Sequence, residues 1–377
     1  MDDPGASTLA PSRKGLGQKC VDLMQLLGEL ARDLKTLLRP GPRLIDQVEA
    51  VASVLLAILL AQLAGTRNVG WAAFSGYLVI RSQLAASAQR AAFRTLGTIV
   101  GACLGWFVAT RLDGRLAWAS LSLLIVVTGT MYKVLTSRRM YAWLLTGLTF
   151  LMVVVESSTP HALPPATFAR ARVAEILIGT AAGLIVSYVS SKLVRCWIPG
   201  DPLPSLISHR GWHRKAAWHA LQAGVAAALL PLFGSAIPEH TLSQAGITVM
   251  AVMTIPLGSL EQNPAAVSTR MAHRFIGCTL GALLAIAILL SCCHHPVLLT
   301  LGVCAGVAIG RHVENGPHGY GYIGVQFALA FLVVLVPDDY SITSLRPGME
   351  RLLGILAGFA LLVVVLQAFR WMRRWRA

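Results

Sequence analysis

The sequence predicts an all-α integral membrane protein of about twelve transmembrane helices, arranged as two parallel six-helix repeats related by a pseudo-two-fold axis along the membrane normal. Three observations predict it: 55% hydrophobic against 13% charged residues, apolar runs recurring along the whole chain, and a residue pattern that occurs twice. A water-soluble domain carries roughly a quarter charged residues, so a chain this poor in charge finds its partner surface in lipid.

Residues 1–18 are small and polar, with glycines, and are expected to be disordered. Over 19–40, Leu23, Leu27, Leu30, Leu34 and Leu37 recur at spacings of four and three, while Asp22, Glu29, Arg32, Asp33 and Lys35 take the other faces. That is an amphipathic helix. It either lies along the cytoplasmic membrane surface ahead of the first span or, as two heptads, pairs two protomers into a homo-oligomer.

The first repeat, 48–195, holds spans near 48–64, 69–85, 95–110, 116–132, 140–156 and 171–191. A cytoplasmic linker, 196–212, follows, in which Pro199, Gly200, Pro202 and Pro204 forbid a continuous helix. The second repeat, 213–369, holds spans near 214–233, 244–261, 275–291, 296–310, 320–337 and 350–369, and a basic cytoplasmic tail closes the chain at 370–377.

Charge placement orients these spans. Of the 32 Lys and Arg residues, 25 fall in segments on the side of the two termini, and seven on the other side: Arg67, Arg111, Arg115, Arg170, Arg172, Arg346 and Arg351. Such a bias places both termini in the cytoplasm. It also accounts for the formal net charge of +15 without a nucleic-acid partner, because the basic residues lie between apolar runs and not on one soluble face. No secretory signal is read in the polar first segment. Trp71, Trp106, Trp143, Trp197, Trp212, Trp371 and Trp375 sit near expected span ends, where amphipathic rings settle.

The repeat is explicit. Arg90-x-x-x-Arg94-x-x-Gly97-x-x-x-Gly101 recurs as Arg270-x-x-x-Arg274-x-x-Gly277-x-x-x-Gly281, offset by 180 residues. Arg81 and Glu261 share that offset, and Phe150-Leu151 matches Phe331-Leu332 at 181. Late in each half, Glu175-x-x-x-Gly179-x-x-x-Gly183 answers to Glu350-x-x-x-Gly354-x-x-x-Gly358. An even number of spans per half makes the repeats parallel. Glycines four apart share one helix face, where their missing side chains let a neighbouring helix come close.

Trp71 opening the second span, the basic stretch from Arg90 to Arg94, and Arg94-Thr95-Leu96-Gly97-Thr98 opening the third together resemble the fusaric acid resistance and aromatic acid exporter family. The second half is similar more weakly, with Cys278 where the pattern has Thr. The resemblance implies a bacterial inner-membrane exporter of aromatic carboxylic acids. It also implies a periplasmic adaptor as partner, although the members that use one commonly carry a cytoplasmic region between membrane halves, where this chain has only the linker. Plant aluminium-activated malate transporters look like distant relatives that form dimeric anion channels from six-helix halves. By that analogy the two halves here form a pseudo-dimer around one path.

The expected path residues follow from the repeat. Arg94 and Arg274, with Arg90 and Arg270 one turn earlier, attract a small organic anion if they face the axis, or act as topogenic charges if they sit among headgroups. Gln326, a polar residue inside an apolar run, hydrogen-bonds either the substrate or a neighbouring helix. Arg81 and Glu261 either pair across the axis as a gate or lie separately at the interface. Glu175 and Glu350 either carry a coupling proton or serve as carboxylates favoured at helix N-termini. Gly97, Gly101, Gly277 and Gly281 are expected at helix contacts. Cys292-Cys293-His294-His295 cannot converge on one tetrahedral metal from adjacent positions, the other cysteines read as core residues, and no cofactor is expected. No H-E-x-x-H, G-x-S-x-G, P-loop or dinucleotide fingerprint is present, so an enzyme is not expected. The functional expectation is a secondary transporter exporting organic acids. Its alternatives are a passive organic-anion channel and a non-transporting membrane scaffold or assembly subunit.

Overall fold

A computed structural model describes residues 16–111, 115–159, 163–198, 211–263, 265–291, 295–317, 319–336 and 346–375. Residues 1–15, most of the linker (199–210), Cys292, Cys293 and His294 of the cysteine-histidine run and the last two tail residues lie outside them. Among the described residues all regular secondary structure is helical, without strands.

Helix α1 spans Leu16–Leu34, and α2 (Pro42–Leu63) starts with Pro42 in its first turn, where the missing N–H costs nothing. It ends in a Schellman turn: Thr66 N–H donates to Ala61 O, Gly65 N–H to Gln62 O, and Gly65 takes φ 61°, which glycine tolerates best. Then come α3 (Val69–Val79), α4 (Leu84–Ala109), α5 (Leu116–Thr136), α6 (Met140–Glu156) and α7 (Pro165–Leu193). The second half holds α8 (Arg214–Leu229, continued by a 3-10 turn to Phe233), α9 (Glu239–Met253), the short α10 (Leu257–Gln262), α11 (Ala266–Ser291), α12 (Pro296–Glu314), α13 (Gly321–Leu335) and α14 (Arg346–Arg374).

Two breaks depart from the sequence expectation, and α11 begins at Ala266, well ahead of the expected 275. The span expected over 69–85 stops at Val79, Ile80 is extended, and α4 begins at Leu84, eleven residues before the expected 95. Ser87 explains the break: its hydroxyl accepts from the Arg81 backbone N–H at 2.9 Å and donates to the Arg81 carbonyl at 3.2 Å, taking both groups out of the helical ladder. The span expected over 244–261 divides at Pro256, which lacks the N–H a continuous helix needs there.

Among the described residues, eight helices are long and apolar enough to cross a membrane: α2, α4, α5, α7, α8 with its 3-10 turn, α11, α12 and α14. This is a multi-pass membrane protein. Twelve such spans are not found: α3, α6 and α13 are apolar but short, and α9, 15 residues long, is also too short. These short helices are the interior ones. In α3, nine of eleven residues are buried, against eight of 26 in α4, so protein and not lipid surrounds the shorter helix.

Four helix contacts recur in both halves of the chain, whereas the close α4–α7, α2–α7 and α2–α3 contacts have only slight counterparts in α11–α14, α8–α14 and α8–α9. α4 packs on α6 as α11 packs on α13, α5 on α6 as α12 on α13, α3 on α7 as α9 on α14, and, between the halves, α5 on α8 as α12 on α2. Glycines set the closest approaches. A Cβ on Gly97 would overlap the Ala142 carbonyl, and one on Gly277 would come within 2.5 Å of the Ile323 carbonyl; Gly101 and Gly281 press likewise on Thr146 and Phe327. The apolar cores interlock the halves. One joins α5 and α6 to α8, α9 and α14; the other joins α2 and α3 to α11, α12 and α13.

Candidate functional site

The repeated arginines stand inside the bundle. Arg94 of α4 is 3% exposed and donates to the Ser75 hydroxyl of α3 at 3.1 and 3.3 Å and to the Tyr141 hydroxyl of α6 at 2.7 Å. Arg274 of α11 is 1% exposed and donates to Thr248 Oγ1 of α9 at 3.2 Å and to Gln326 Oε1 of α13. One turn earlier, the Arg90 guanidinium lies 4.3 Å from the Tyr141 ring centre, and that of Arg270 lies 3.5 Å from the ring centre of Tyr322. Each half thus presents two guanidiniums, one tyrosine ring and neutral hydrogen-bond acceptors.

No carboxylate of the described residues lies within 4 Å of these four guanidiniums. Neutral acceptors orient a guanidinium but do not cancel its charge. A buried cation without a counter-ion costs several kcal/mol, roughly what a bound anion would recover. Headgroup-level topogenic charges have no reason to be 1% to 3% exposed.

The remaining expected residues are placed differently. Arg81 does not meet Glu261, which is exposed on α10; it pairs with Glu314 at 3.0 Å. Glu175 is fully buried, 3.4 Å from Arg172, and accepts from Asn68 Nδ2 at 3.2 Å. Glu350 pairs at 2.7 Å with the exposed Arg346. Gln326 is buried and accepts from Arg274.

A second polar cluster, which the sequence did not disclose, joins the end of α12 to the starts of α2 and α4. Glu314 takes Arg81, Arg311 at 2.9 Å and the Tyr77 hydroxyl at 2.9 Å; Arg311, 2% exposed, also donates to the Tyr77 carbonyl. Next to it Arg195 holds Asp46 and Glu49, and Asn315 donates to Asp46 at 2.7 Å. The end of α1 docks here, through the Arg43–Asp33 pair at 2.9 Å and His312, whose ring contacts Thr36 and Gln47. Removing Glu314 strands Arg311 in the interior. Glu314→Gln is therefore expected to lower stability by about 3 kcal/mol or more, whereas Glu350→Gln, whose partner Arg346 is 77% exposed, should cost under about 1 kcal/mol. Thermal unfolding of the two purified variants in detergent checks the contrast.

Sequence reasoning missed Tyr141, Tyr322, Ser75, Thr248, Glu314 and Arg351. The tyrosines were findable: they stand 181 residues apart, the same offset as Phe150-Leu151 and Phe331-Leu332. Arg311 and Arg351 were not, since a count of basic residues by segment does not tell a buried arginine from a surface one.

Residues 56–186 match the family model described as fusaric acid resistance protein-like. This stretch carries the R-x-x-G-T pattern at Arg94 and bears out the resemblance. No curated protein and no solved structure matches the chain.

Proposed function

From the match of residues 56–186 to fusaric acid resistance-like proteins, we propose that this membrane protein is a secondary transporter exporting a small organic acid, of the aromatic carboxylic class, across a bacterial inner membrane. One observation carries the proposal: a buried guanidinium at repeat-equivalent positions in each half, Arg94 and Arg274, each with a half-buried arginine one turn earlier and no carboxylate of the described residues to neutralise it. Desolvated cations facing a path lower the barrier for an anion and raise it for a cation.

The architecture that goes with this reading is twelve helices in two parallel repeats, α2 to α7 and α8 to α14, with α10 an accessory turn. The matching helix contacts support it, and so do α3, α6, α9 and α13, which are short because protein encloses them. Both termini are cytoplasmic, as the charge bias indicates. The Arg81–Glu314–Arg311 cluster then closes the cytoplasmic end of the path.

Ion pairing of both Glu175 and Glu350 favours a second reading, a passive anion channel, because neither carboxylate is offered as a proton carrier. Reconstituted vesicles separate the two. An inward-directed proton gradient should drive benzoate outward against its own gradient if the protein is a carrier. Flux that only ever relaxes the benzoate gradient would make it a channel.

A further inference from the structure

Helix α14 brings a third buried guanidinium to the second-half site. Arg351 is 5% exposed, its Nε has no hydrogen-bond partner, and no carboxylate of the described residues lies within ion-pair distance. It neighbours the Cys278 thiol, Arg274 and Tyr322. The Cys278 sulfur in turn lies 3.7 Å from Gln326 Oε1, the atom that receives Arg274. Arg274 of α11 and Arg351 of α14 therefore meet at one small locus around Cys278 and Gln326, and the Nε of Arg274 is also without a hydrogen-bond partner. Phe74 of the first half lies 5.8 Å from Arg351, which puts this locus where the two halves meet.

The first half handles its outer arginine differently. Arg172 of α7 is buried too, but Glu175 stands 3.4 Å away. The carboxylate that answers to Glu175 in the repeat is Glu350, and it is committed to the exposed Arg346 at 2.7 Å. The same helix position thus supplies a counter-charge in one half and withholds it in the other. Two like charges held together in a low-dielectric interior repel, and one anionic group on a ligand balances only one of them.

We infer that Arg351 makes the second-half site a receptor for an organic anion with two acidic groups, one at Arg274 and the other at Arg351. This rests on the transport reading above and adds to it the charge of the ligand. Arg351 acts as a specificity residue: it does not decide whether an anion enters, but favours the one whose second charge completes the balance.

Benzoate and phthalate share a ring and differ by one carboxylate, so they probe the second charge. In vesicles containing the full chain, phthalate should displace labelled benzoate at concentrations about tenfold lower than unlabelled benzoate does, tenfold being 1.4 kcal/mol. In Arg351→Gln the ratio of phthalate to benzoate flux should fall by about that factor, and in Arg351→Lys, which keeps the charge, it should largely recover. The competition in the unmodified protein tests the inference even if Arg351→Gln fails to fold. Equal potency of the two acids, or an unchanged ratio in Arg351→Gln, would overturn it. Benzoate flux with no response to phthalate would sink this inference and leave the transport reading standing, whereas flux of neither acid would remove both.

Discussion

Replacing Arg94 and Arg274 together by glutamine is expected to reduce organic-anion flux to background while the protein still inserts and accumulates in the membrane. Both guanidiniums are buried, both are held by neutral acceptors, and each occupies the same place in its half of the chain. Glutamine keeps a hydrogen-bonding head and removes the charge, so packing is disturbed little. A single desolvated anion near the axis feels both cations, and each alone should account for about tenfold in flux or more. The two losses should not multiply, because groups acting on one ligand are coupled. Lysine at either site restores the charge without the planar fork, and partial flux is expected from it. Initial rates of labelled benzoate uptake into vesicles, normalised to protein, give all three comparisons. Normal flux in the double variant would return both arginines to an orienting role.

Gly179→Val should be among the most damaging single changes to the fold. A Cβ at Gly179 would overlap the Ala72 carbonyl and press on Ser75, and a backbone carbonyl inside a helix cannot move aside as a flexible side chain can. Helices α3 and α7 would have to separate, which would disturb Ser75, a partner of Arg94. Even alanine is expected to cost about 1–3 kcal/mol there, the usual range for overpacking a tight contact. Gly129 of α5 is the control, since nothing lies within 4 Å of a Cβ placed on it. Gly129→Ala should be neutral or gain up to about 1 kcal/mol from the better helix former. Melting temperatures of detergent-purified protein, with membrane abundance beside them, decide the matter. Equal behaviour of Gly179→Ala and Gly129→Ala would mean that the α3–α7 contact is looser than the glycine packing implies.

The helical class and most helix positions were legible because apolar runs and prolines act locally. Pro42, Pro165 and Pro296 fall in the first turns of α2, α7 and α12, where a proline starts a helix as readily as it ends one. The break after Val79 was not legible, since it depends on the Ser87 hydroxyl capturing both backbone groups of Arg81. The repeat led to Arg94 and Arg274 because a fixed offset marks equivalent positions whatever their environment. For the same reason it offered Glu261 as one possible partner of Arg81, the other reading being that the two lie apart. Glu261 shares the offset but sits on α10, beyond the break at Pro256, while Glu314, with no partner in the repeat, receives the charge. Arg351 was counted with the orienting charges, because only the packing of α14 shows that it points inward.

The most direct test of the account is an experimental structure with a brominated benzoate bound, the halogen located by anomalous scattering. The account predicts bromine density in the bundle interior, with the carboxylate in contact with the guanidinium of Arg94 or Arg274, between α4 and α6 or between α11 and α13. A ligand bound only on the lipid-facing side of α4, in the apolar groove lined by Ile99, Cys103, Trp106 and Leu177, would contradict it.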